Sequence, residues 1–308
     1  MRVAFDSRPA ADPRGIGRYT RSLLAALREE AAARGGELVE STRTRRCDVF
    51  HSPWIDGAPL RPGVPTVVTL HDLVPRKRPG EYLRSGLRFR MRYLAVERAT
   101  RLIVPTRAVA ADVAGLLSVD ERRIDVVNEA ADPVFHPRDA ARVAAARASH
   151  GVPEEYLLWV GGLRRPDPRK RVAALAGAPR ELPLVLVGEP GQWARELDGV
   201  ILAGAVSDDD LAALYTGARA LVFPSDDEGF GLPTVEALAC GTPVAACDVP
   251  ALREVLGDRA TFVECDDLAG LLATAEAATR PAPAPPAWSW ADAARATWDV
   301  YDRAVAGG

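Results

Sequence analysis

Lysine is nearly absent from this chain. Of 39 basic residues only Lys77 and Lys170 are lysines, so guanidinium groups carry almost all the positive charge. A lysine at a motif position therefore stands out. Long hydrophobic runs are missing too: no stretch of eighteen apolar residues occurs in 308, which argues against a membrane-spanning helix. The amino-terminal MRVAFDSRP reads as a first strand and lacks the apolar region of a signal peptide. The four cysteines (Cys47, Cys240, Cys247 and Cys265) form no C-x-x-C pair. Reduced, buried thiols in a cytoplasmic protein are the expectation.

What is present is enough for two domains of ordinary size, with 48% hydrophobic residues to fill their cores. The net charge of −3 hides an asymmetry. Residues 1–150 hold 26 basic and 18 acidic side chains, whereas residues 151–308 hold 13 and 24. The basic excess concentrates in residues 76–101, with nine basic residues against Glu81 and Glu97. That segment suits an anionic acceptor, or peripheral contact with an anionic membrane surface at the inner face. The plain alternative is the solvated face of a helix in an arginine-rich protein. No nucleic-acid partner is expected.

Strand and helix patterns alternate along the chain. Short apolar runs at 3–6, 48–52, 66–71, 101–104 and 124–127 read as strands, with helical spacing at 16–28, 82–98 and 108–117. A second series follows, with strand runs at 156–161, 184–187, 200–203, 220–224, 243–246 and 261–263. Such alternation means parallel sheets covered on both faces, and two runs of it mean two Rossmann-like domains. The expected division is 1–150 and 151–285. A Pro/Ala spacer at 280–287 leads to a closing helix at 289–305, started by the S-x-x-D capping signal Ser289–Asp292. Little lies between the first helix and the strand at Asp48, so the first domain reads as shortened.

The richest stretch is EGFGLPTVEALACGTPV, residues 228–244. Glu228 lies in a glycine-containing loop after an apolar strand. Pro233 suits the first position of a helix, and Gly241 ends that helix. The construction aims backbone N–H groups and a helix N-terminus at one point, which favours an anion such as a phosphate. Gly229 and Gly231 let a ligand approach the backbone closely. Glu236, one turn into the helix, is within reach of a ribose diol, although taken alone it is also an ordinary first-turn acid. GIGRYT at 15–20 is not a dinucleotide fingerprint, because Thr20 occupies the third glycine position.

Residues 228–244 resemble the E-x7-E signature of retaining glycosyltransferases of family 4. The similarity extends over LAGAVSDDDLAALYTGARALVFPSDDEGFGLP and CDVPALREVLGDRATFVE. HDLVPRKRPGEY, DPRGIGRYTRSLLAAL and WSWADAARATWDVYDRAV also resemble that family. The resemblance implies a GT-B fold: two Rossmann-like domains facing across a cleft, with the closing helix packed back on the N-terminal, acceptor-binding domain. It implies a metal-independent transfer of sugar with anomeric retention, from a nucleotide-sugar donor (GDP-mannose or a UDP-sugar) to a hydroxyl acceptor. The acceptor would be a glycan, a lipid-linked sugar or a small molecule, in cell-envelope glycan or glycolipid synthesis. A non-catalytic nucleotide-sugar-binding subunit is the alternative, suggested by the short first domain.

The same resemblance implies roles for particular residues. Lys170 in VGGLRRPDPRKR matches the family's diphosphate-binding lysine, and Arg164 or Arg165 its arginine, with Arg164 favoured at six residues before Lys170. Glu228 would bind donor-sugar hydroxyls and Glu236 the ribose. Backbone N–H groups of Phe230, Gly231 and Leu232 would face the sugar or distal phosphate. Gly15 and Gly17 would let their loop approach the reacting phosphate. His71, at the end of TVVTLH, would contact the donor sugar or stabilise the reacting centre, with Asp72 either orienting it or capping a turn. No cofactor and no metal are expected: Asp208, Asp209 and Asp210 read as helix N-terminal acids, and Asp226 and Asp227 as loop carboxylates.

Overall fold

The computed structural model describes residues 1–12, 15–82 and 87–307. The chain divides into two compact units, Met1–Ala130 with the chain from Trp288 onward, and Ala131–Ala287.

The first unit runs β1 Arg2–Phe5, α1 Gly15–Ala33, β2 Glu37–Glu40, β3 Val49–Ser52, β4 Thr66–Thr69, α2 Val74–Lys77, α3 Pro79–Tyr82, α4 Leu87–Glu97, β5 Arg101–Val104, α5 Arg107–Leu116 and β6 Ile124–Val126. Its strands form one parallel sheet in the order β2-β1-β3-β4-β5-β6. The central strands β3 and β4 are buried along their whole length, which is why they read as unbroken apolar runs. Strand β2 was not expected. Its ELVE sequence is polar at both ends because it lies at the sheet edge, where only the middle pair is shielded.

The second unit runs α6 Ala140–His150, β7 Leu157–Val160, α7 Val172–Gly177, β8 Leu184–Val187, α8 Gln192–Arg195, β9 Val200–Gly204, α9 Asp208–Gly217, β10 Ala220–Phe223, α10 Leu232–Ala239, β11 Val244–Cys247, α11 Pro250–Leu256, β12 Thr261–Val263 and α12 Leu268–Glu276. This sheet is also parallel, in the order β12-β11-β10-β7-β8-β9. The division falls after Ala130 rather than at 150. The reason is α6, which packs on α9 through ion pairs from Arg142 to Asp209 and Asp210, both at 2.6 Å.

The last helix, α13 Trp290–Ala306, starts at the expected capping box, with Ser289 and Asp292 exchanging side-chain and backbone hydrogen bonds. It returns to the first unit and lies against α1. Its apolar face buries Ala294, Trp298 and Tyr301, while Arg34, just after α1, pairs with Asp299 and Asp302 on its flank. The two units are therefore Rossmann-like α/β domains, and the closing helix belongs to the first.

Candidate active-site residues

In open parallel sheets, ligands bind beyond the carboxyl ends of strands where the strand order reverses. In the second sheet that point lies between β7 and β10. The chain leaves β7 towards β8 and β9 on one side, and β10 towards β11 and β12 on the other. The loops emerging there are 161–171 and 224–231, and they carry most of the expected donor-binding residues.

The two loops are joined by Arg169, which no sequence pattern singled out. Its carbonyl accepts the Asp226 N–H at 3.0 Å, and its guanidinium reaches the Asp227 carbonyl and the Glu228 carboxylate, both at 3.4 Å. Glu228 is thus a mostly buried, ion-paired carboxylate and not a solvated loop acid. Lys170 holds its ammonium 5.9 Å from the centre of the Trp159 ring, over the end of β7. A Cβ on Gly161 would come within 3.2 Å of that ammonium and within 2.7 Å of the ring. Arg164 is exposed and pairs with Glu189 at 2.5 Å, in the loop after β8. Arg165 is exposed. Lys170 and Glu228 are therefore brought together through Arg169, whereas Arg164 is turned towards Glu189.

Helix α10 begins at the same edge. Gly231 caps it in the left-handed region, φ 83°, and a side chain there would meet the Leu252 methyl at 2.6 Å. Thr234 donates both its N–H (2.8 Å) and its hydroxyl (2.7 Å) to the Gly231 carbonyl. The helix starts at Leu232, so Pro233 takes the second helical position and not the first. It ends in a Schellman motif, with Thr242 N–H on the Ala237 carbonyl and Gly241 N–H on Leu238. Phe230 and Leu232 are buried beside the cap, and the Ser225 hydroxyl in the loop before it is buried without a hydrogen-bond partner. Glu236 is 2% exposed and accepts a hydrogen bond at 3.2 Å from Tyr215, itself fully buried in α9. A carboxylate so deeply placed one turn inside a helix is not an ordinary first-turn surface acid.

The first sheet reverses between β1 and β3. Asp6, just after β1, is fully buried and accepts hydrogen bonds from Arg8 Nε (2.8 Å), Arg8 Nη2 (2.7 Å) and Trp54 Nε1 (3.0 Å). Burial raises its pKa, but the bonds from Arg8 and Trp54 outweigh this and hold the carboxyl below the usual range. His71 follows β4. Its Nδ1 lies 3.0 Å from Glu129 Oε1 and its Nε2 3.0 Å from the Pro53 carbonyl. Asp72 accepts the Val74 N–H at 3.2 Å, the turn-capping alternative. Beneath His71 runs a buried polar chain: Tyr301 hydroxyl to His51 Nδ1 (2.7 Å), His51 Nε2 to Thr69 hydroxyl (2.9 Å), and Thr69 to Tyr19 hydroxyl (3.2 Å). It links α13, β3, β4 and α1. Desolvation, with repulsion from His71, pushes His51 down to about 3, so this imidazole is neutral.

Gly15 opens α1, and Gly17 lies inside it. A Cβ on Gly17 would fall 1.8 Å from the Asp12 carbonyl oxygen, so the close approach observed at that glycine is to the chain's own backbone. Pro13 and Arg14 lie outside the described residues. In the basic segment, Lys77 pairs with Asp112, Arg78 with Glu81, Arg92 with Asp56 and Arg101 with Asp125. Much of its charge is matched within the fold. Arg84 lies outside the described residues. Among the described residues no helix is long and apolar enough to cross a membrane, and no group of three or more His, Cys, Asp or Glu side chains could hold a metal ion.

Residues 7–135 match the model of Glycosyltransferase Family 4, and residues 154–279 that of Glycosyl transferases group 1. The D-inositol 3-phosphate glycosyltransferase of Mycobacterium avium is 35% identical over 294 residues, covering 82% of this chain and 66% of the relative. The serotype-specific mannosyltransferase WbdA of Escherichia coli is 32% identical over 217 residues, 62% of this chain and 26% of the relative. The chain thus spans from 26% to 66% of the length of these curated relatives. Among solved structures, sucrose-phosphate synthase of Thermosynechococcus elongatus superposes with a TM-score of 0.70 at 20% identity, over 99% of this chain and 96% of that one. Anabaena Alr3699/HepE, in complex with UDP and glucose, gives 0.67 at 17%, over 98% and 95%. With both halves matched and the strand order in hand, the chain is a GT-B-fold protein made of two glycosyltransferase domains, related to the group 1 and family 4 glycosyl transferases.

Proposed function

We propose that this protein transfers a sugar from a nucleotide-sugar donor to a hydroxyl acceptor, with retention at the anomeric carbon and without a metal, in glycan or glycolipid synthesis. The observation that carries the reading is Glu236: a carboxylate 2% exposed, one turn inside a helix that starts at the switch-point edge. Such a group suits the two hydroxyls of a ribose, while the N-terminus of α10 suits the diphosphate. Lys170 and an arginine, Arg164 or Arg165, would add positive charge to the leaving diphosphate. Arg164 can do so by exchanging Glu189 for phosphate, a trade between two exposed partners that costs little. Glu228, held by Arg169, would accept from donor-sugar hydroxyls.

No side chain is assigned as a covalent nucleophile. Front-face displacement is the mechanism we favour, with the leaving phosphate taking the acceptor proton. The donor is GDP-mannose or a UDP-sugar. WbdA is named a mannosyltransferase, and Alr3699/HepE was solved with UDP and glucose, which supports testing both. Thermal-shift screening against GDP-, UDP- and ADP-sugars comes first, because a ligand that binds the native state must raise Tm. Transfer is then followed by NMR of the product's anomeric carbon. An inverted product, or a trapped glycosyl-enzyme, refutes the mechanism. Donor binding without hydrolysis or transfer across a broad acceptor panel points instead to a nucleotide-sugar-binding subunit.

A further inference from the structure

His71 has two ring nitrogens, and both face oxygen atoms of the protein. The Pro53 carbonyl can only accept, so Nε2 carries a hydrogen. Nδ1 stands 3.0 Å from Glu129 Oε1, a hydrogen-bond distance. Two facing lone pairs would repel at that distance in a site only 24% exposed on the histidine side and 5% on the glutamate side. A second proton therefore lies between nitrogen and oxygen. Imidazole is the stronger base by about two pH units, so the proton belongs on nitrogen.

We propose that Glu129 is a positioning residue that keeps His71 as an imidazolium with both N–H bonds turned into the protein. His71 and Glu129 then form a net-neutral ion pair at the carboxyl edge of the first sheet. His71 offers neither a general base nor an N–H for a sugar hydroxyl. The inference stands on the His71, Glu129 and Pro53 geometry and does not depend on the transferase reading.

The surroundings agree. Glu129 follows β6, and the order β4-β5-β6 brings it to the same edge as His71, although 58 residues separate them. The preceding Asn128 fixes that segment by donating to the Pro105 carbonyl at 3.0 Å. Four titratable groups bear on the ring. Glu129 and Asp72 favour the cation. His51 from β3 opposes it weakly because it is itself neutral. Tyr19 from α1 packs edge to face at 4.5 Å. Burial lowers the His71 pKa, and the Glu129 bond and charge more than reverse this, so the net shift is upward.

The test needs no donor or acceptor. The full chain, labelled with 15N-histidine, is titrated by long-range 1H–15N NMR from about pH 5.5 to 9, with His71→Gln used to assign the signals among four histidines. In the wild type both His71 nitrogens should read as protonated at about pH 7.5. In Glu129→Gln the ring should lose one proton at that pH, its midpoint falling by at least about one pH unit, a tenfold weaker hold on the proton, and Glu129→Asp should recover part of the shift. A wild-type ring with one bare nitrogen at about pH 7.5 overturns the proposal, as does an unchanged midpoint in Glu129→Gln. If Glu129→Gln does not fold, the wild-type titration and Glu129→Asp decide. If the protein transfers no sugar yet His71 titrates as stated, the transferase reading fails and the imidazolium stands. If transfer is observed while His71 is neutral, the reverse holds.

Discussion

His51 makes the first domain acid-labile, and the size of the effect follows from its burial. Its imidazole is wholly enclosed and held at about 3, against an ordinary value near 6.5. A folded-state pKa depressed in this way means that the unfolded chain binds a proton between those two values while the native state does not. Stability attributable to His51 is then full above pH ~6.5 and falls as pH drops towards 3. Linkage across that window gives a loss of about 2.5 kcal/mol on going from pH 7 to pH 4.5. The perturbation that isolates it is His51→Gln, which keeps an amide for the Tyr301 and Thr69 hydroxyls and removes the titration. Urea unfolding of both proteins at the two pH values measures the difference, and hydrogen exchange of the β3 and β4 amides places it in the first domain. The wild type should lose about 2.5 kcal/mol more than His51→Gln. Equal losses in the two proteins would refute the reasoning. His71 contributes with the opposite sign: its raised pKa gives stability that is full below pH ~6.5 and disappears as pH climbs through the raised value.

The second domain gives three further expectations. Glu236→Ala should weaken nucleoside diphosphate binding by about tenfold to a hundredfold, the worth of hydrogen bonds to a charged group, as read by calorimetry; unchanged affinity would remove Glu236 from the nucleotide site. Gly231→Ala should cost about 1–3 kcal/mol, because φ is 83° and the new methyl meets Leu252 at 2.6 Å. Gly115→Ala, in helix α5 of the first domain with nothing within 4 Å of the added carbon, is the control and should stabilise by about 0.4–1 kcal/mol. Arg169→Met should leave Glu228 buried without its ion-pair partner, lowering kcat/KM for the donor about tenfold and lowering Tm as well; a normal kcat/KM would show that the Arg169–Glu228 pair does not shape the site.

The fold was legible because its strands are parallel and internal. Residues 66–69, 157–160, 184–187, 220–223 and 244–247 are buried at every position, so each appears as a short apolar run with no alternation to confuse it. Where that burial fails, the pattern fails with it. Strand β2 has exposed glutamates at both ends and looks like the tail of a helix. The domain boundary was misplaced for a different reason. Helix α6 is an Ala/Arg segment with only Ala146 fully enclosed, and its allegiance to the second domain comes from Arg142 meeting Asp209 and Asp210 some seventy residues away. Nothing local to α6 encodes that.

The candidate site divides along the same line between local and distant. Glu228 and Glu236 sit in one continuous loop and helix, so their spacing already fixes which edge of the sheet they occupy. Arg169 and Glu129 acquire meaning only from strand order: Arg169 meets Glu228 because β7 neighbours β10, and Glu129 meets His71 because β6 stands two strands from β4. A usable signal was nonetheless present. In a parallel sheet every strand delivers its carboxyl end to the same edge, so polar residues directly after each apolar run are candidates for one shared neighbourhood. Asp6 follows β1, His71 follows β4 and Glu129 follows β6 by one, two and three residues. Taken strand by strand, those positions predict a buried carboxylate near the histidine without saying which one. The order β4-β5-β6 then selects Glu129 for His71, while the adjacency of β1 and β3 gives Asp6 to Trp54. The charge state of His71 is therefore decided by sheet topology, a level of structure between the motif and the reaction.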